Sequence, residues 1–463
     1  MLRRIDAKHA FSNVLVRKWL DTAHLSAEDR ALVTELVYGV LSWQQALDEK
    51  IAVYLNNRTL DAVDPGLLTI LRLTFYQRLY LTRIPSYAAV HEAVTLARKT
   101  HGEGSARFVN AVLRALERDL ARTSNKASLR DDRVQGTLGE KLASRYAHPA
   151  WLVKMWLERY GKEQTEALLY ANQTKAPLFV RLRTKGSEAR ESLFLALKKD
   201  GIAYADIPGL SEALLIHAPV GAIRPYLEQG LLVVQDISAM LVVRALRLIP
   251  GLRILDAASA PGGKTLQIID VLKEATESAP GAPLPSEVIA NEKHPRKAET
   301  LKKRLEDELV RDAFAPIRVQ VVNQDAATLT PFQLGTFDRI LLDAPCSGLG
   351  TIRRKPEIKW RLFPETLGVM QKTQSALLLA MAPLLKSDGR IVYSTCTLSP
   401  QENEQVIHHF LQERPDYVLD ETLLDDLPLL PGLYPLAPGM VEIHPTVQGG
   451  DGFFIARLKH ATQ

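Results

Sequence analysis

Apolar side chains recur along this chain at two different spacings, and the change of spacing divides it. Over the first ~140 residues the spacing is helical. Residues 31–41, 67–76 and 108–113 each repeat apolar positions on a helical period. Asp64-Pro65 predicts a helix start, and Ile84-Pro85-Ser86 predicts a break. Between Thr123 and Gly139 the chain turns polar, which reads as a linker. From Lys141 to Gln235 helical and strand patterns mix. Leu178-Phe179-Val180-Arg181-Leu182-Arg183 alternates apolar and basic side chains, as a strand with one exposed basic face would. Such a face suits RNA, although an ordinary amphipathic strand carries the same pattern.

From about Asp236 onward the pattern is strand, turn, helix, repeated. Strands are expected at 252–256, 288–291, 317–322, 339–342, 391–394 and 453–458. That alternation predicts a mostly parallel sheet with helices on both faces. The expected architecture is multidomain: an all-α domain over 1–140, a small α+β subdomain over 141–235, and a C-terminal α/β Rossmann-like domain over 236–463.

Composition adds bounds. A chain of 463 residues exceeds the size at which one core stops growing, about 250–300 residues. With 46% hydrophobic and 24% charged residues it has the make-up of a soluble globular protein. The N-terminal Met1-Leu2-Arg3-Arg4-Ile5-Asp6 leads into a charged amphipathic stretch without a signal-type apolar core. The longest apolar run, near Leu377 to Leu385, is too short to span a bilayer. These features predict a cytosolic protein with reduced thiols and no membrane partner. A net charge of +5 permits a nucleic-acid partner without requiring one.

Candidate chemistry begins at the turn Asp256-Ala257-Ala258-Ser259-Ala260-Pro261-Gly262-Gly263-Lys264-Thr265. Strand, glycine turn and helix start together make a ligand cradle, in which free N–H groups face the ligand. Gly263-Lys264-Thr265 ends like a P-loop, and Ile340-Leu341-Leu342-Asp343 resembles the strand that accompanies one. A P-loop also needs a glycine separated by four residues from the one before its lysine. That place is Ala258, and Pro261 interrupts the loop. The competing reading is a nucleotide-type cofactor site with an acid on the next strand. Glu292 ends Val288-Ile289-Ala290-Asn291, and could accept both ribose hydroxyls. Asp325, after the third strand, could reach an adenine edge. Acids after successive strands plus the Pro-Gly-Gly turn form the layout of an S-adenosylmethionine site.

The chain's only two cysteines each follow a predicted strand: Cys346 in Asp343-Ala344-Pro345-Cys346-Ser347-Gly348, and Cys396 in Tyr393-Ser394-Thr395-Cys396-Thr397. Reduced surroundings argue against a disulfide, and two thiols lack the four ligands of a zinc site. These segments, with Pro400-Gln401-Glu402-Asn403-Glu404, Ala-Pro-Gly-Gly-Lys-Thr and Asp451-Gly452-Phe453-Phe454-Ile455-Ala456, closely resemble the RNA cytosine-5 methyltransferases. The helical region resembles the NusB-like RNA-binding domain through Glu35 to Leu41, Arg83-Ile84-Pro85 and Val109 to Arg114. Together they are similar to the RsmB (Sun/Fmu) type, which acts on small-subunit rRNA.

The resemblance implies S-adenosylmethionine as cofactor, with Ala258, Ser259, Ala260, Pro261, Gly262, Gly263, Lys264, Glu292, Asp325 and Asp343 in its pocket. It implies Cys396 as the nucleophile that adds to carbon 6 of cytosine, Cys346 as the group that assists product release, and Asp343 as a partner of the cytosine's polar edge. DNA cytosine-5 methyltransferases use the Pro-Cys thiol instead, which would make Cys346 the attacker. The implied partner is 16S rRNA, unassembled or partly assembled, acted on by a monomer without a metal. Ala258, Ser259 and Glu292 depart from the family's commoner Cys, Ala and Asp. Five basic residues interleave with Trp360 over Thr351 to Arg361, which suggests phosphate contacts and base stacking. A solvated basic loop would look the same.

Overall fold

The computed structural model describes residues 1–8, 11–56, 58–122, 136–183, 186–277, 285–310 and 317–461. Most of the linker expected at 123–139 lies outside these. The described chain forms two compact units: Met1–Lys175 with Ile352–Leu362, and Ala176–Thr351 with Phe363–Gln463.

The first unit is helical: α1 (Leu2–Lys8), α2 (Ser12–Thr22), α3 (Ala27–Ser42), α4 (Gln44–Val53), α5 (Pro65–Tyr80), α6 (Ser86–His101), α7 (Glu103–Arg122), α8 (Leu138–Arg145) and α9 (Ala150–Asn172). The three apolar stretches read from the sequence lie in α3, α5 and α7. They supply Leu41, Leu71, Phe75, Val109 and Leu113 to one core, each at most 1% exposed. The helix start at Asp64-Pro65 is physical: Asp64 Oδ1 accepts the N–H groups of Gly66 (2.7 Å) and Leu67 (3.2 Å), with Pro65 at the first helical position.

Residues 352–362, read from the sequence as a basic loop, pack into this helical unit, and three of the side chains expected to contact RNA are used inside it. Glu357 caps α2: its two carboxylate oxygens accept Ser12 N–H (2.8 Å) and Ser12 O–H (2.7 Å). Lys359 and Trp360 satisfy the last carbonyls of α3. The Lys359 ammonium donates to Ser42 O (2.8 Å) and Trp360 Nε1 to Leu41 O (2.6 Å). Arg361 donates to Ile5 O. Lys359 is fully buried, and burial holds its pKa well below the usual lysine value. The Lys359 Nζ donor and Trp360's indole N–H are therefore spent on the end of α3.

The second unit holds two sheets. The smaller has the order β2-β3-β1-β4, with β1 (Leu178–Leu182), β2 (Tyr204–Ile207), β3 (Leu210–Ile216) and β4 (Leu232–Val234), all antiparallel. The expected basic strand is β1, but its basic face meets protein. Arg181 lies 2.7 Å from Asp270, Arg183 pairs with both Asp270 and Glu308, and the two arginine side chains are 3% and 9% exposed. Asp270 and Glu308 lie on the helices Gly263–Glu277 and Pro295–Val310, so this face is buried in ion pairs and not exposed as expected.

The larger sheet contains β5 (Arg253–Asp256), β6 (Ser286–Asn291), β7 (Ile317–Val322), β8 (Phe337–Asp343), β9 (Leu385–Thr395), β10 (Tyr417–Leu419), β11 (Leu433–Ala437), β12 (Met440–Ile443) and β13 (Phe453–His460). Its order is β11-β12-β13-β9-β8-β5-β6-β7, with β10 pairing β13. The run from β7 to β9 is parallel and the remaining strands are antiparallel. All six strands expected from the sequence are present; β10 to β12 are additional. Strand order reverses between β5 and β8, and in such sheets ligands bind outside the carboxyl ends at that reversal.

The antiparallel end is held by a buried charge network. Arg457 is 0% exposed, with Nε 2.8 Å from Asp420 Oδ2 and Nη1 2.6 Å from Asp426. Arg390 also meets Asp420 at 2.8 Å. Burial works against the Asp420 carboxylate, but Arg390, Thr422 and Arg457 outweigh it and hold its pKa far below the usual 3.8. Removing one partner of such a network strands a buried charge. Asp420→Asn is therefore expected to destabilise the second unit at pH 7 by roughly 3–5 kcal/mol in chemical denaturation. A depressed carboxyl contributes stability that is complete above its unfolded pKa and lost as pH falls toward the folded one. The gap between wild type and variant is expected to narrow below about pH 4.

Candidate active site

The carboxyl ends of β5, β8 and β9 converge. Register pairs Asp256 with Leu341 and Asp343 with Ser394, and the chain exits these strands side by side. Ala257 N–H donates to Leu341 O (2.8 Å), and Ala344 N–H donates to Ser394 O (2.8 Å). The glycine turn, the Cys346 loop and the Cys396 turn thus form one edge.

Asp343 is the junction. Its Oδ2 accepts from Lys264 Nζ at 2.7 Å and its Oδ1 from Ser394 O–H at 2.8 Å. Burial opposes the Lys264 ammonium, but Asp343 and Cys396 outweigh it and raise its pKa. Lys264 also lies 5.4 Å from the Phe453 ring centre, a cation–π approach. In a P-loop that ammonium would be left for phosphate; here it is held by Asp343.

Cys346 and Cys396 are both free thiols, with their sulfurs 3.3 Å apart. Their surroundings differ. The Cys346 thiol is pushed well above its usual pKa by the sulfur contact with Cys396, by burial, and by the carboxylates of Glu402 and Asp343. Cys396 instead interacts favourably with the Lys264 ammonium.

The cofactor turn is tied to β6. Ser259 N–H (2.9 Å) and O–H (2.8 Å) both donate to Asn291 O, and Asn291 Nδ2 donates to Ala257 O (3.0 Å). The Ser at 259 therefore anchors the turn with a bond that alanine could not make. Gly262 has φ +95°, a conformation that favours glycine, and a Cβ added at Gly263 would meet nothing within 4 Å. This open backbone at a helix start fits a bound nucleoside cofactor. Glu292 Oε1 accepts His294 N–H (2.8 Å), so a ribose contact there would fall to Oε2. Asp325 is more committed. Its Oδ1 accepts Ala327 N–H (3.1 Å) and its Oδ2 accepts from Lys293 (2.6 Å). Lys293 is the main cause of its lowered pKa. An adenine contact there would have to share one of these bonds.

Comparison with known proteins identifies the family. A model described as "16S rRNA methyltransferase RsmB/F" matches residues 243–459, a NusB family model matches 1–118, and an RsmF/B-like ferredoxin-like domain matches 148–222. A probable ribosomal RNA small subunit methyltransferase B of Bacillus subtilis (strain 168) is 33% identical over 99% of this chain and 96% of that one. The chain belongs to the RsmB/F methyltransferase family. The ribosomal RNA small subunit methyltransferase B of Vibrio cholerae is likewise 33% identical over 98% of this chain and 94% of its own. The crystal structure of PH0851 shares the fold, with TM-score 0.73 and 23% identity over 94% of this chain and 91% of that one. A methyltransferase homolog from Pyrococcus horikoshii gives TM-score 0.56 and 25% identity over 70% of this chain and 100% of that one.

Family membership sets aside the P-loop reading of the glycine turn. Among the described residues there is no His/Cys/Asp/Glu group that could hold a metal, and no helix long and apolar enough to cross a membrane.

Several residues that shape this RsmB/F site drew no role from sequence reasoning. Ser394 and Asn291 hold their loops by side-chain bonds that no spacing announces. Gly350 is another: its N–H donates to Cys396 O (3.0 Å), and its own carbonyl accepts from Gly452 N–H (2.8 Å). A Cβ there would collide with the backbone carbonyl of Gly452. Backbone gives way less readily than a flexible side chain. Gly350→Ala is therefore expected to cost about 1–3 kcal/mol and to slow methyl transfer, read by thermal melting and single-turnover kinetics.

Proposed function

We propose that this chain methylates carbon 5 of a specific cytosine in 16S rRNA, with S-adenosylmethionine as donor and a covalent Cys396–cytosine intermediate. The observation that carries the reading is the pair of thiols 3.3 Å apart, with the Asp343–Lys264 ion pair beside them. The helical region 1–140 and the α+β region 141–235 would bind RNA, and 236–463 would catalyse.

Carbon 5 of cytosine is a poor nucleophile. Addition of the Cys396 thiolate to carbon 6 forms an S–C bond, and the electrons of the C5–C6 double bond move onto the ring. Carbon 5 becomes enamine-like. Residues Ala258 to Lys264, Glu292, Asp325 and Asp343 would hold S-adenosylmethionine, which supplies the electrophilic methyl that carbon 5 takes up. The carbon-5 proton then passes to a base, the double bond re-forms, and the Cys396 thiolate departs. Asp343 would accept a hydrogen bond from the cytosine's exocyclic amine.

Electrostatics favour Cys396 as the attacker. A thiolate is the nucleophilic form. The contact with the Cys396 sulfur and burial, with Glu402 and Asp343 adding to them, raise the Cys346 thiol, whereas Cys396 interacts with the Lys264 ammonium. Close to the Cys396 sulfur, Cys346 can assist its departure. The target base must leave any helical stack to reach the thiols.

On a 16S rRNA substrate with S-adenosylmethionine, Cys346→Ala is expected to accumulate a protein–RNA adduct on a denaturing gel. Cys396→Ala should lose both adduct and methyl transfer. Methylation that survives in Cys396→Ala would show the assignment to be wrong.

A further inference from the structure

Glu402 and Asn403 lie between β9 and the helix Glu404–Glu413, both 0% exposed. Each side chain chiefly grips the segment that carries one thiol; Glu402 Oε1 also accepts a longer bond from Thr397 O–H (3.3 Å), beside Cys396.

Glu402 grips the Cys346 loop. Its Oε2 accepts Ser347 N–H (2.8 Å), and its Oε1 accepts Ser347 O–H. The Gln374 amide spends its two hydrogens on Glu402 Oε2 (3.0 Å) and Pro345 O (2.9 Å). The two peptide groups flanking Cys346 are therefore both pinned, one at the Pro345 carbonyl and one at the Ser347 N–H. Thr397 O–H stands 2.8 Å from Ser347 Oγ and backs this arrangement.

Asn403 grips the Cys396 turn from both sides. Its Oδ1 accepts Thr395 O–H (2.6 Å), and its Nδ2 donates to Thr397 O (3.1 Å). Tyr393 O–H donates to Glu402 O (2.6 Å) and fixes the dipeptide's own main chain. Ser347, Gln374, Tyr393, Thr395 and Thr397 are all buried.

A buried carboxylate without a cation is costly, and burial raises the pKa of Glu402. Packing alone would be served better by an apolar side chain. What the carboxylate provides is two oxygens facing donors only. We propose that Glu402 and Asn403 are the positioning pair of the two thiols: Glu402 sets Cys346 for release, and Asn403 sets Cys396 for attack. This rests on the covalent mechanism above and assigns its two halves to two adjacent side chains.

The assignment separates two variants that a purely structural role would not. Glu402→Gln turns an NH2 group toward donors, so the Cys346 loop loosens, while the two Asn403 bonds still hold the Cys396 turn. Its expected behaviour is that of a weakened Cys346→Ala: RNA adduct accumulates on a denaturing gel, the first turnover by rapid quench still transfers methyl, and steady-state turnover falls roughly 10- to 100-fold. Asn403→Ala should lower adduct formation and first-turnover transfer together, with no accumulation. Asn403→Asp, which keeps the acceptor for Thr395, should recover part of that loss. S-adenosylmethionine affinity by calorimetry should stay within about 3-fold of wild type in all three.

Adduct lost together with turnover in a folded Glu402→Gln, or adduct accumulating in Asn403→Ala, would overturn the proposal. Should Glu402→Gln fail to fold, Ser347→Ala removes one grip on the same loop. It should accumulate adduct to a lesser degree; wild-type adduct levels in it would count against the pair. Cys346→Ala distinguishes the underlying reading, since absence of adduct there would reject the covalent mechanism itself.

Discussion

The Asp343 carboxylate, shared between Lys264 and Ser394, is the interaction on which the rest of this site depends. Asp343 closes β8, Lys264 begins the helix after the β5 turn, and Ser394 lies near the end of β9. One half-buried acid thus ties the glycine turn to the strand that delivers Cys396. The ion pair settles a charge problem as well. An unpaired Lys264 ammonium, 15% exposed, would be costly there.

The sheet supplies the geometry that this pair exploits. Parallel strands β5, β8 and β9 end at the same level, so residues far apart in sequence become neighbours without long connecting loops. The bonds that refine the arrangement run between loops: Gly350 to Cys396, Ser347 to Glu402, Ser259 to Asn291.

Much of this was legible in the sequence, and the exceptions have physical reasons. Parallel strands covered on both faces read as continuous apolar runs, so β5 to β9 stood out. Strands β10 to β12 did not: they are short, β11 contains Pro435, and β12 carries a buried Glu442 paired with His444. Alternation in β1 marked two faces correctly but could not say what each would meet, and Arg181 and Arg183 met Asp270 and Glu308. The basic run at 353–361 showed charge and an aromatic ring beside the Cys346 loop. It could not show that the chain carries Lys359 and Trp360 to the carbonyl end of α3. Asp343, Cys346 and Cys396 were named from motif resemblance, and the structure brings them together. Glu402 and Asn403 sat in the same motif with no role, because a grip on a neighbouring loop is invisible until that loop has a position.

The central claim is that this chain puts a methyl group on carbon 5 of one cytosine in small-subunit rRNA. Bisulfite sequencing of 16S rRNA from cells with and without the protein tests it most directly. The account predicts one protected cytosine that becomes convertible when the protein is absent and is protected again when the wild-type chain, but not Cys396→Ala, is restored. An unchanged pattern at every 16S cytosine would contradict it.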